Sequence, residues 1–366
     1  MKPKFYSLKN ILAKKAQYNI IFGERSNGKT YSVLKYGLQK FCETGEQTAI
    51  IRRWGDDFKG KRGESMFNAL VSNWEVEKLS NGEWTDIYYY GSRWYLCKYV
   101  EEGVNLKRVI HEKPFCYGFS ITAMEHDKST SYPEVTTICF DEFLTRTAYI
   151  PDEFVLFMNV VSTIVRHRTN VTIFMLGNTV NKYCPYFKEM GLTHIKDMKP
   201  GDIDLYRYGD SRLLVAVEYT TPNKQGKASD LYFAFDNPKL SMITGGEWEI
   251  DIYPHCPVKF TPREILFTYF IQFSGDILQC EIVRHDNLYF TFIHRKTTDF
   301  KHPETDIIYS PDYSPLPNWK RKITKPLTPL EKKIAMFYAT DKIFYSDNEV
   351  GEIVRNYLIW CGKDIK

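Results

Sequence analysis

Residues 18–30 read YNIIFGERSNGKT. The apolar run from Tyr18 to Phe22 predicts a buried strand, and Gly23, Glu24, Arg25, Ser26, Asn27, Gly28, Lys29 and Thr30 behind it complete the phosphate-loop pattern G-x-x-x-x-G-K-[ST]. Its glycines let consecutive backbone N–H groups converge on α- and β-phosphates at the start of a helix, for which YSVLKYGLQKF is a suitable sequence. In such a loop Lys29 reaches the β- and γ-phosphates and Thr30 holds Mg²⁺. Arg25 either meets the γ-phosphate or stays a solvated loop arginine. The stretch predicts a site for ATP and Mg²⁺.

A phosphate loop needs an acid at the tip of a neighbouring strand. Residues 136–142, TTICFDE, are apolar and β-branched running into an acid pair, as a buried parallel strand reads where its carboxyl end meets a nucleotide. Asp141 is then the Mg²⁺ partner and Glu142 the base that orients the attacking water. A glutamate directly after the strand-end aspartate points to the additional-strand, catalytic-glutamate (ASCE) class of ATP motors rather than to a kinase or small GTPase. The strand VTIFMLGN ends at Asn178, which is either a γ-phosphate sensor or a turn asparagine. Between these strands EFVLFMNVVSTIVRHRTN predicts a helix ending at Arg166, His167 and Arg168. Two arginines there suit a solvated helix terminus; in a ring of identical subunits one of them instead projects into the neighbour's ATP site, and Arg166 is preferred to Arg168 for that role.

Composition fits this reading. The chain has 366 residues, enough for two or three domains, 43% hydrophobic content, and a formal charge of +4 that permits nucleic-acid binding without requiring it. Eight cysteines lie singly with no C-x-x-C pair, which predicts reduced thiols. The basic start MKPKFYSLKNILAKK lacks a signal-peptide core, and no apolar run approaches a membrane span, so a cytoplasmic protein without a membrane partner is expected. YNIIF, TAIIRRW, RWYLCKYV, CYGFSI, TTICFDE and VTIFMLGN are the strand candidates of an α/β, mostly parallel sheet. Residues 1–200 are therefore assigned to an ASCE P-loop ATPase domain and 201–250 to a small helical or irregular linker or lid.

Residues 251–366 are expected to form an α+β domain. FTYFIQFSG, ILQCEIVR and LYFTFIHRK, separated by short polar turns, predict a β-meander of the kind that begins an RNase H-like nuclease. The first of these strands carries no central acid, and Asp276 and Glu281 do not form a converging cluster, so the expectation is a nuclease-like fold without nuclease activity. Two basic stretches are nucleic-acid candidates or else ordinary solvated loops. One is GDDFKGKRGE, with Lys59, Lys61 and Arg62 offset by Asp56, Asp57 and Glu64; the other is PNWKRKITK, with Trp319, Lys320, Arg321, Lys322 and Lys325.

FYSLKNIL, GERSNGKTY, TGEQTAIIRRW, SYPEVTTICFDEF, YIPDEF and CPYF occur in one order, and in them the chain resembles the DNA-packaging ATPases of phi29-like bacteriophages, well over residues 5 to about 190. The resemblance implies a homomeric ring, a pentamer in that family. It would dock through a prohead RNA at the portal vertex of an empty capsid and hydrolyse ATP to drive double-stranded DNA inward, in the host cytoplasm. It implies the motor roles for Lys29, Thr30, Asp141, Glu142 and Arg166; Lys128 is either an exposed loop lysine of EHDKSTS or a basic residue near a subunit boundary. The lack of a nuclease also suits that family, whose unit-length genomes need no cutting. Two other classes stay open: a helicase or recombination-type P-loop ATPase, and a nucleotide-switched assembly protein.

Overall fold

The computed structural model describes residues 6–103, 105–122, 130–147, 149–222, 248 and 251–362. The chain divides into two compact units, one running to Trp248 and the other from Glu249.

The first unit is built on one sheet. Its strands are β1 (Tyr18–Gly23), β2 (Gln47–Arg52), β3 (Asp86–Tyr90), β4 (Arg93–Glu102), β5 (Asn105–Ile110), β6 (Cys116–Ser120), β7 (Val135–Asp141), β8 (Thr172–Asn178), β9 (Ile203–Arg207) and β10 (Leu214–Tyr219). They lie in the order β3-β4-β6-β2-β7-β8-β1-β10-β9, with β5 on β4. From β6 to β10 every neighbouring pair is parallel, and β1, β7 and almost all of β2 and β8 are buried, as continuous apolar runs require when both faces are covered. Strand β8 lies between the loop strand β1 and the acid strand β7, as an additional-strand ATPase demands.

Helices cover both faces. After the turn α1 (Lys9–Leu12) and strand β1 comes α2 (Lys29–Thr44), which buries Val33, Leu34, Leu38 and Phe41 and joins the short helices α3 (Lys61–Ser65), α4 (Asn68–Ser72) and α5 (Glu75–Leu79) on one side. On the other side α6 (Glu153–Val165) and α7 (Pro185–Glu189) pack an aromatic core in which Phe140 stacks on Phe157 with ring centres 4.9 Å apart.

All six candidate strands of the α/β reading form. The expected linker from residue 201 does not begin there: β9 and β10 continue the sheet, and β10 pairs directly with β1. Most of the remaining linker segment lies outside the described residues. No helix among the described residues is long and apolar enough to cross a membrane.

The second unit contains β11 (Ile265–Phe273), β12 (Asp276–His285) and β13 (Leu288–Lys296) as an antiparallel meander. Ser274 and Gly275 both take positive φ and close its first hairpin, the condition of a two-residue type I′ turn. β14 (Ile308–Tyr309) runs parallel to β11, β15 (Trp319–Lys320) parallel to β14, and β16 (Ile343–Tyr345) parallel to β13. Helix α8 (Pro329–Ala339) starts behind Thr328, whose hydroxyl accepts the N–H of Glu331 at 3.2 Å. Helix α9 (Asn348–Gly362) buries Val350, Ile353, Val354 and Tyr357 and packs on β11, β13 and β16.

Candidate nucleotide site

Strand β1 delivers the loop. Gly23 has φ of 152°, and a Cβ there would lie 2.0 Å from the Thr220 hydroxyl, so only glycine lets the chain leave β1 beside the end of β10. Asn27 donates to that same hydroxyl at 2.8 Å, pinning the loop's far side. Gly28, with φ of 89°, opens α2. Lys29 is 6% exposed, and its ammonium donates to the Glu24 carbonyl at 2.6 Å and to Asn178 Oδ1 at 3.3 Å. Burial lowers its pKa to about 8 against the opposing pull of Asp141 and Glu24. The ammonium is thus held mainly by neutral carbonyls, which a phosphate oxygen would outcompete.

Strand β7 delivers the acids. Thr30 Oγ1 donates to Asp141 Oδ1 at 3.0 Å across the strand-to-loop gap. From β2, Arg52 donates to both acids, to Asp141 at 2.6 Å and to Glu142 at 2.7 Å. Burial still raises the Asp141 pKa, outweighing Arg52. Glu142 has φ of 60° and its side chain is 66% exposed, facing the cleft. A non-glycine residue in this left-handed region costs on the order of 1–3 kcal/mol and persists only where its surroundings impose it.

The adjacent arginine imposes it. Arg53 donates to the carbonyls of Glu142 at 3.3 Å and Phe143 at 2.9 Å, and closes a buried ion pair with Glu153 of α6 at 2.8 Å. Glu153 is in turn held by the Tyr186 hydroxyl and the Ile150 N–H, at 3.0 and 2.8 Å. The whole closes a cleft of ≈ 250 Å³ between Ser26–Tyr31, Asp141–Glu142 and Leu176–Asn178. The Thr30 hydroxyl and Asp141 carboxylate are hard oxygen donors side by side, a set that fits Mg²⁺ with its remaining positions filled by water and phosphate.

The other predicted residues fall outside this cleft. Arg25 is exposed and does not line it. At the end of α6, Arg168 donates to four carbonyls, of Tyr132, Pro133, Val135 and Ile164, and so fastens the approach to β7. Arg166 is exposed, and among the described residues its guanidinium donates to the Thr130 carbonyl, at 3.0 Å. Lys128 lies outside the described residues.

Neither basic stretch is a simple loop. Around Lys59, Lys61 and Arg62 the chain forms a short 3₁₀ turn and α3, anchored by the buried Phe58. Lys59 pairs with Asp56 at 2.8 Å, while Lys61 is exposed. Trp319 and Lys320 form β15; Trp319 packs on Phe300, Lys320 pairs with the buried Glu331 at 3.1 Å, and Arg321 lies 3.9 Å from the Tyr313 ring centre. Lys322 lies 5.7 Å from the Trp360 ring centre. An aromatic beside four cations is here largely a strand edge with internal partners.

Arg52, Arg53, Glu153 and Thr220 are the residues that sequence reasoning passed over. The only local signal was an unusual RRW at the end of a candidate strand; its value depends on β2 lying next to β7, which the strand order alone reveals.

The family model for the podovirus DNA encapsidation protein (Gp16) matches residues 1–90 and 98–199. The DNA packaging protein of Bacillus phage B103 is 28% identical over 184 residues, 48% of this chain and 48% of that one, so the chain spans about half the length of the curated relatives it matches. A solved structure of the Phi-28 gp11 DNA packaging motor is similar with a TM-score of 0.54, at 17% identity over 99% of both chains. The bacteriophage Phi-29 viral genome packaging motor assembly is similar with a TM-score of 0.53, at 20% identity over 96% of both. These two likenesses establish the fold over the length of both units. With the family model covering half of the residues, the chain belongs to the podovirus DNA encapsidation (Gp16) family.

Proposed function

We propose that the chain is an ATP-hydrolysing ring motor that translocates double-stranded DNA into a viral prohead. The observation that carries this reading is the convergence of Lys29, Thr30, Asp141, Glu142 and Asn178 on one cleft at the carboxyl ends of β1, β7 and β8. A nucleotide-switched assembly protein would not need a positioned base, whereas Glu142 faces the cleft on a backbone corner held in a costly conformation. Lys29 binds the β- and γ-phosphates, and Thr30 with Asp141 holds Mg²⁺, which neutralises charge on the phosphates when bound. Glu142 orients the attacking water, and Arg52, bonded to both acids, sets where that carboxylate rests. Asn178, already bonded to Lys29, senses the γ-phosphate.

Arg166 completes the site of a neighbouring copy. Its exposure and its single carbonyl partner among the described residues favour it for this, whereas Arg168 donates to four carbonyls. In the second unit the meander is extended by β14 and β15 parallel to β11, which supports an RNase H-like arrangement. Asp276 is bound by Arg295 and Glu281 by His294, which supports a domain that does not cut DNA. The motor acts in the host cytoplasm, as a pentamer on the portal through a prohead RNA. The relatives' description as DNA packaging proteins supports the substrate. The test is uptake of double-stranded DNA into purified empty proheads: the chain with ATP and the capsid-bound RNA should protect DNA from nuclease, and no protection under any condition sinks the reading.

A further inference from the structure

A second cleft of ≈ 290 Å³, as large as the nucleotide cleft, opens elsewhere on the first unit. It lies at the carboxyl ends of β2 and β6, the edge of a parallel sheet where ligands collect, against the start of β4. Its lining includes one formal charge, the Arg93 guanidinium, and no carboxylate. Asp56 and Asp57, beside the lining residues Gly55 and Phe58 in sequence, are paired with Lys59 and Arg62. Arg93 is exposed, and its guanidinium has no ion pair or side-chain hydrogen bond among the described residues.

A hydroxyl completes the set. Ser120 is 7% exposed, lines the cleft, and has no side-chain hydrogen-bond partner among the described residues. Gly55 forms part of the same wall, and a Cβ there would stand 3.4 Å from Ser120 Oγ, so the missing side chain keeps the floor open above the hydroxyl. Gly118 donates its N–H to the Ser92 carbonyl at 2.7 Å, which fixes the β3–β4 turn beside Arg93. The rings of Tyr117 and Tyr132, with centres 5.2 Å apart, form an aromatic wall. An unpaired guanidinium, a buried unpaired hydroxyl and a glycine floor suit an anion with several acceptor oxygens, and the remaining volume and the aromatic wall suit a sugar attached to it.

We propose that this cleft is a phosphate-binding subsite for the backbone of a nucleic acid, separate from the nucleotide loop, with Arg93 supplying the charge and Ser120 a hydrogen bond. The subsite shares with the motor reading only its nucleic-acid partner. Because Ser120 faces Arg52 in the β2–β6 register and Gly55 lies three residues beyond Arg52, an occupant here sits at the end of β2, whose Arg52 bonds Asp141 and Glu142.

The test uses the full chain with fluorescein-labelled duplex DNA and duplex RNA, anisotropy measured across a salt series, and ADP affinity as the folding control. Arg93→Gln should weaken binding of at least one duplex several-fold and reduce the log–log salt slope by about one, with ADP affinity unchanged. Gly55→Ala, which adds a methyl group at a position without positive φ, should weaken the same duplex by filling the floor. Unchanged affinity and slope in both variants overturns the subsite while leaving the motor reading intact; absence of duplex binding by the unsubstituted chain counts against both. Inorganic phosphate that binds the unsubstituted chain at millimolar concentration but not Arg93→Gln, with no effect of the substitution on either duplex, identifies a free-anion site and overturns the backbone assignment.

Discussion

The two units handle charge in opposite ways. In the first, acids stand at the ends of parallel strands and their partners come from far along the chain: Arg52 meets Asp141 and Arg53 meets Glu153 across sequence separations of 89 and 100 residues. In the second, charged groups pair within the meander, as Glu281 does with His294, or tie a strand to a helix, as Lys320 does to Glu331 and Arg295 to Glu349, and Arg355 of α9 reaches back to Asp251 at 4.0 Å, none of them around a cleft of the described residues. The first arrangement leaves donors and acids converging on a cleft at one edge. The second spends its charges on holding strands and helix starts. Function therefore concentrates where strand order, not local sequence, brings groups together.

The widest separation between the units should appear in turnover. Arg166→Ala mixed with unsubstituted chain should depress ATPase activity more steeply than dilution predicts, because an arginine acting on a neighbour's phosphoryl group is worth about 10³–10⁵ in rate. Activity proportional to the unsubstituted fraction would confine Arg166 to its own subunit. Arg168→Ala should instead lower the thermal midpoint, through the four carbonyls it releases.

Glu142→Gln should retain nucleotide affinity and lose about 10²–10⁴ in turnover, the usual contribution of a positioned base. Turnover within twofold of the unsubstituted chain would remove Glu142 from the chemistry.

How far the sequence revealed this site follows from the same contrast. Lys29, Thr30 and Asp141 were legible because a loop motif and a strand-end acid are local patterns. The pairing of Arg52 with Asp141 was not, since nothing in RRW says that β2 will lie beside β7. The assignment of residues 201–250 to a linker misses β9 and β10, because β9 is half-exposed at the sheet's edge and its pattern carries little burial signal. The basic stretch at Trp319 misled for the converse reason: a run of cations looks solvated until β15 inserts it between β14 and α8's Glu331.

Arg53→Ala tests whether the long-range pairs of the first unit are also structural. Removing one partner of a buried ion pair typically costs about 3–5 kcal/mol, here because Glu153 would stay almost fully buried without its guanidinium. Denaturant unfolding of the full chain should show that loss in the first transition assigned to this unit. A shift below about 1 kcal/mol would mean that Tyr186 and the Ile150 N–H suffice for Glu153.

The smallest effect belongs to the second unit and depends on pH. Its hydrogen bond to Glu281 raises the His294 pKa. Burial works against the Glu281 charge, but the bonds from His294 and Gln279 outweigh it and hold that carboxyl below its usual range. A raised histidine stabilises below its unfolded value near 6.5 and loses that contribution as pH rises through the folded value. A depressed carboxyl stabilises above its unfolded value near 4.5 and loses it as pH falls through the folded value. The pair therefore contributes most between about pH 4.5 and 6.5. Because His294 is one-third exposed and its contact with Glu281 is 3.4 Å, the contribution should stay under about 1 kcal/mol. Glu281→Gln should flatten the stability of this unit across that window while leaving pH 8 almost untouched. A pH profile that keeps its shape in the variant would assign the acid-side stability to other groups, and would leave Glu281 as a hydrogen-bond acceptor whose charge contributes nothing.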